Sequence, residues 1–209
     1  MDVEQAFRSH WQVLWTSLGR TPADAESLLA RYGEAHRHYH NAAHIVDCLD
    51  QFTRYGSALK GADASPEISL ALFYHDAIYD PAAADNEQQS ARLAQQHLSP
   101  HLQPAQIKTI TRLIVATDHR RPLADPAERL IVDIDLSILG RDPITFDIYD
   151  RAIRAEYAHV PEEAYRVGRS KVLQGFLARP RLYSKDWFFE RYEAAARINL
   201  ARAITQLSE

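Results

Sequence analysis

Three stretches of this chain put ionisable side chains where an apolar helix face is expected. In residues 68–79, ISLALFYHDAIY, nearly every side is apolar, yet His75 and Asp76 stand side by side. A helix so patterned belongs in an interior. An unpaired carboxylate there is costly, so Asp76 requires a metal, a cation or several donors. In residues 129–139, RLIVDIDLSIL, steps of about 100° from Ile131 gather Ile134, Ile138 and Leu139 on a wide inward face that includes Asp135. Asp133 falls opposite, with Arg129 and Ser137, and reads as solvated; a mid-helix position argues against Asp135 as a cap. In residues 36–52, HRHYHNAAHIVDCLDQF, the stripe is Ile45, Cys48, Leu49 and Phe52. His44 borders it and His40 lies one turn earlier. Cys48, the one cysteine, reads as a small buried hydrophobe.

Each of these groups has a plainer reading alone, such as a satisfied His–Asp hydrogen bond in a core. Together, His44, His75, Asp76 and Asp135 form a mixed nitrogen and oxygen set. It suits one divalent ion (Mn, Fe, Co, Ni, Zn or Mg) with positions left for water. It is not the thiolate-rich set of a structural zinc.

The elements that must position these groups are helices. Seven glycines and no Asn-Gly or Asp-Gly pair leave little hairpin chemistry in the 209 residues. Helix starts recur instead: Thr21-Pro22, Ser65-Pro66, Asp85 with Gln88 as a capping box, then Pro104, Pro126, Pro143 and Pro161. A last helix starts near Ser184 or Asp186. The pattern predicts an all-α chain of about nine or ten helices. Gly140-Arg141-Asp142-Pro143 reads as a turn inside one domain spanning 1–209.

Composition narrows the partners. With 46% hydrophobic and 25% charged residues the chain can build a sizeable core. A net charge of −4 disfavours bulk nucleic acid. The N-terminus lacks a secretory pattern, no apolar run is long enough for a membrane span, and the expected compartment is the cytoplasm.

The order His44, His75-Asp76, Asp135 resembles the signature of the HD-domain metal-dependent phosphohydrolase superfamily. The strings HRHYHNAAHI, LFYHDAIYD, DNEQQSA, LIVATDH and EYAHV are similar to a small branch of roughly 200-residue predicted metal-dependent HD phosphohydrolases. The likeness runs from about residue 7 to 204. It implies an HD-domain-like orthogonal helix bundle, with a metal core over about 30–140 and C-terminal helices over about 143–207 packed on it. It also implies hydrolysis of a small phosphorylated metabolite or nucleotide by metal-activated water; a homodimer is compatible with it.

For the catalytic acid or base the candidates are Glu87, His119 and Asp80, beside Asp76. For phosphate, Arg37, His40 and Arg169 are the candidates; arginine offers the better fork for phosphate oxygens. Glu87 in a first helical turn and His119 near a helix end also have ordinary macrodipole roles. His97, His101 and His159 read as surface residues. Two other readings stay open: an HD-type di-iron oxygenase, for which only His119 is well placed as an extra ligand, and a non-catalytic metal- or nucleotide-binding regulatory protein.

Overall fold

A computed structural model describes residues 2–58, 65–123 and 125–209. The described residues form ten α-helices and one 3-10 turn, with no strand among them, so the all-α expectation holds. The chain divides into two compact units, Met1–Val132 and Asp133–Glu209.

The first unit contains α1 (Val3–Ser17), α2 (Ala25–Tyr32), α3 (Ala42–Ala58), α4 (Pro66–Tyr74), α5 (Asn86–Leu98), α6 (Pro104–Ala116) and most of α7 (Pro126–Asp135). Helix α4 is its axle. Ile68, Leu70, Ala71, Leu72, Phe73 and Tyr74 are all buried, because the helix is apolar all round. Ser65 caps it and Pro66 occupies its first turn, as the sequence predicts. Trp11 and Phe7 of α1 meet Phe73 edge-on, with ring centroids 4.8 and 5.0 Å away.

One expected helix start differs, and at another the expected side-chain cap is not made. Helix α2 begins at Ala25 rather than at Pro22: Asp24 accepts from the Glu26 and Ser27 amides, and this cap defines the first turn. Asp85 makes no side-chain cap to α5; its carboxylate instead accepts from the Gln89 side-chain Nε2 at 2.8 Å.

The second unit begins within α7, then has a 3-10 turn (Leu136–Gly140), α8 (Pro143–Glu156), α9 (Glu162–Leu177) and α10 (Asp186–Ser208). The 3-10 turn is pinned to α10. The Asn199 amide donates to the Leu139 and Arg141 carbonyls at 2.9 Å each, and the Tyr183 hydroxyl donates to the Leu136 carbonyl, also at 2.9 Å. At Gly140 a Cβ would lie 2.5 Å from Tyr192 Cβ and 2.6 Å from its carbonyl oxygen, so only glycine permits the approach.

Two sequence expectations are corrected here. The helix carrying Asp133 and Asp135 stops at Asp135 instead of running to residue 139. Asp133 is not solvated but fully buried. Its carboxylate accepts the Ser184 amide at 2.8 Å and the Lys185 amide at 2.6 Å, just ahead of α10. The helical wheel put Asp133 with the solvated side chains. It could not know that a segment fifty residues later covers that side.

Candidate metal centre

His44 sits in the first turn of α3, and His75 and Asp76 follow immediately after the last residue of α4. Both imidazoles are buried, at 5% and 1% exposure, so their polar atoms answer to one another and not to solvent. The Nε2 atoms of His44 and His75 lie 3.2 Å apart. Asp76 Oδ2 is 3.1 Å from His75 Nε2 and 3.4 Å from His44 Nε2.

That triangle can be tested against coordination chemistry. Bonds of roughly 2.1 Å put neighbouring donors about 3.0 Å apart in an octahedron and about 3.4 Å apart in a tetrahedron. All three observed edges fall within that range, so one ion can touch all three atoms without moving them. The His75 ring is also fixed for the task. Its Nδ1–H donates to the Leu72 carbonyl at 2.9 Å, which leaves the Nε2 lone pair facing the cluster.

Asp76 is poised to be ionised. Burial alone would raise its carboxyl, but the adjacent His75 and His40 imidazoles and hydrogen bonds from His44 and His75 hold it well below the usual range.

The segment after α4 is not helical, yet it is buried, so its backbone groups need partners. They are found one by one. The Tyr32 hydroxyl donates to the Phe73 carbonyl at 2.8 Å, and the Ala77 amide donates to the Tyr74 carbonyl at 3.0 Å. Arg37 donates to the Asp76 carbonyl at 2.6 Å and to the Ala77 carbonyl at 3.1 Å. Its other bonds go to the His40 carbonyl at 3.0 Å and to Glu34 at 2.9 Å. Ser90 of α5 accepts the Ile78 amide at 3.0 Å. Arg37 therefore acts as a brace: it fastens the loop before α3 to the backbone of the His75-Asp76 doublet.

The other sequence candidates fall in different settings. His40 is half-buried and stacks on Tyr79, centroid to centroid 4.1 Å. Tyr39 packs on the His44 ring at 4.6 Å. Glu87 is half-buried in the first turn of α5. Burial first, then the charges of Asp118 and Asp76, push its carboxyl upward against the pull of Arg120. Asp80 serves the turn before α5, taking the Ala82 amide at 2.8 Å.

His119 adopts a left-handed backbone conformation, φ 61°, which is rare for a residue with a side chain. Beside it Arg120 is ion-paired to Asp118 and donates to the Ala84 carbonyl at 2.8 Å, tying this turn to the start of α5.

In the second unit, Arg169 sends Nε and Nη2 to Asp150 at 3.1 and 2.8 Å, and Nη2 also to the Tyr149 hydroxyl at 3.1 Å. Those contacts make an ordinary buried ion pair. Asp135 ends α7 and is half-buried, with no cap bond from its carboxylate to the 3-10 turn.

Sequence reasoning missed Cys48. It is buried at 1% exposure, and its Sγ lies 3.8 Å from both ring nitrogens of His44. The ligand atoms of His44, Cys48 and His75 lie within 4.8 Å of one another, a group able to hold a metal ion. The available signal was the spacing: His44 and Cys48 are four residues apart and share a helix face.

No family model, curated protein or solved structure matches this chain. No helix among the described residues is long and apolar enough to cross a membrane.

Proposed function

We propose that this protein is a metal-dependent phosphohydrolase of the HD-domain type, acting on a small phosphorylated metabolite or nucleotide. The observation that carries the reading is the triangle of His44 Nε2, His75 Nε2 and Asp76 Oδ2, whose edges span 3.1 to 3.4 Å. Hydrogen bonding alone is a poor account of two buried imidazoles aimed at each other and at one carboxylate. A cation accounts for all three lone pairs at once.

In this proposal His44, His75 and Asp76 form the ligand set and Cys48 stands at its margin. A divalent ion so held supplies Lewis acidity and a lowered water pKa. The remaining work belongs to side chains. The His75 Nδ1–H donates to the Leu72 carbonyl, so Nε2 is the ring nitrogen turned toward the cluster. Asp76 stays ionised and contributes negative charge. Glu87, pushed upward by burial, is suited to hold a proton and hand it to a departing alkoxide. His40 and Tyr79 offer a stacked imidazole and phenol for the organic part of a substrate.

The test joins elemental analysis to a screen of phosphorylated metabolites, run with Mn²⁺, Co²⁺ and Zn²⁺. One divalent ion per chain and phosphate release from at least one compound class are expected. His75→Ala should lose both. Metal-free protein that stays inactive with every ion overturns the proposal. Two irons per chain with substrate oxidation would replace hydrolysis by di-iron chemistry.

A further inference from the structure

We infer that Arg120 is the group that recognises the phosphate of the substrate, and that it does so beside Glu87. This inference rests on the phosphohydrolase reading above and supplies the cation that reading lacks.

Both arginines that the sequence nominates are already committed. The Arg37 side chain is fully buried and gives its N–H groups to three carbonyls and Glu34. The Arg169 side chain is nearly as buried and holds Asp150 and the Tyr149 hydroxyl. Arg120 differs from both. Its side chain is 61% exposed. Its Nε donates to Asp118 and its Nη2 to the Ala84 carbonyl, while Nη1 has no partner among the described residues. Exposed ion pairs are weak, so an incoming dianion can share or displace the Asp118 carboxylate. The guanidinium then offers phosphate oxygens a planar fork.

Hydrogen bonds bring three turns together around Glu87. The Asn86 side chain accepts the Asp80 amide at 3.1 Å and donates to the Asp80 carbonyl at 2.9 Å. Ser90, three residues beyond Glu87 and on the same face of α5, accepts the Ile78 amide at 3.0 Å and donates to the Ile78 carbonyl at 3.3 Å. These bonds fasten the first turns of α5 to the segment that follows Asp76. Arg120 reaches the same end of α5 from the turn after α6, through the Ala84 carbonyl at 2.8 Å. Between Asp118 and Arg120, His119 holds φ 61°, a conformation that persists in a residue with a side chain where its surroundings over-determine it. The electrostatics agree. After burial, the Glu87 carboxyl is pushed up by the charges of Asp118 and Asp76 and drawn down by Arg120. One carboxyl thus senses both the arginine and an acid of the candidate centre. Glu87 holds the proton for the leaving oxygen, and Arg120 meets the charge on the phosphoryl oxygens beside it.

The experiment uses the whole protein, loaded with Mn²⁺ or Co²⁺ and freed of unbound ion, and titrates inorganic phosphate by calorimetry. Arg120→Ala should weaken phosphate binding about tenfold or more, the size of a lost charge-assisted hydrogen bond. Arg120→Lys keeps the charge without the fork and should fall between it and the wild type. Arg121→Ala removes the neighbouring arginine, which pairs with Glu128, and should leave phosphate affinity unchanged. Metal content should stay the same in every variant, and thermal unfolding confirms that each one folds. Phosphate bound equally by the wild type and Arg120→Ala overturns the assignment and leaves the metal site standing. A loss that Arg121→Ala reproduces overturns it as well. A wild type that holds metal but binds no phosphate overturns the phosphohydrolase reading along with it, and one that holds no metal overturns the metal reading itself.

Discussion

The two units each bury carboxylates, and they do so for opposite reasons. In the second unit, Asp133 and Glu193 face backbone amides. Asp133 takes those of Ser184 and Lys185, while Glu193 takes those of Leu182 and Tyr183 and pairs with Arg197. Four consecutive N–H groups ahead of α10 are thereby satisfied by two side chains. In the first unit Asp76 faces two imidazole nitrogens, and the group that spends its donors on backbone carbonyls is Arg37.

A buried acid is thus not a site by virtue of burial. What its oxygens face makes the difference: backbone N–H groups for Asp133, two clustered imidazole nitrogens for Asp76. Protonation follows the same division. Burial pushes Asp133 up to about 7 despite its amide partners, while the imidazoles around Asp76 hold it low.

The sharpest way to break this contrast is to remove one acid from each side. His75→Ala or Asp76→Ala should reduce metal affinity by about a hundredfold or more, since a ligand outweighs the second-shell effects that typically cost ten- to hundredfold. Elemental analysis after dialysis reads the result. Asp133→Asn should leave metal content unchanged but lower stability by roughly 1–3 kcal/mol, because a buried network loses an acceptor. Equal metal loss in the two variants would dissolve the distinction.

Next in size is Gly140→Ala, where the new methyl meets Tyr192 backbone and Cβ atoms. Overpacking of this kind costs about 1–3 kcal/mol or more, read as a fall in denaturation midpoint at constant m-value. An unshifted midpoint would mean that the 3-10 turn is not held against α10.

Arg37→Lys comes third. Lysine cannot reproduce a planar fork shared among three carbonyls and Glu34. A roughly tenfold loss of metal affinity with retained folding is expected, the size of a second-shell effect. Unchanged affinity would show that the doublet holds its place without the brace.

The smallest effect concerns Glu87. Its carboxyl is raised above the ordinary value of 4.5, chiefly by burial. As pH climbs from that value toward the folded-state value, the native chain keeps a proton that the unfolded chain has released. Stability therefore falls with rising pH across this window. Glu87→Gln should remove this residue's share of the slope, so its melting temperature should gain on the wild type between acid and neutral pH. A gain that is flat or reversed would place Glu87 in a wetter setting.

Local signals located the helices, since caps and first-turn prolines act within a few residues. Ser65-Pro66 and Asp142-Pro143 start α4 and α8 where the pattern says they should. Thr21-Pro22 failed because Asp24, two residues later, is the better cap and no tertiary contact was needed to decide it. In the candidate site, His44, His75 and Asp76 were legible because ionisable groups stand out beside apolar stretches. Cys48 was not, because a buried thiol looks the same from sequence whether it packs or ligates.

By itself, then, the sequence determined which segments coil and which of them carry ionisable groups, because propensity, capping and 3.6-residue periodicity are local properties. Tertiary structure alone decided what those groups meet: the Ser184 and Lys185 amides for Asp133, the Asp76 and Ala77 carbonyls for Arg37, the His44 ring for the Cys48 sulfur. The first two join groups some forty to fifty residues apart, and the third depends on which faces pack together, so no periodicity within one helix encodes them.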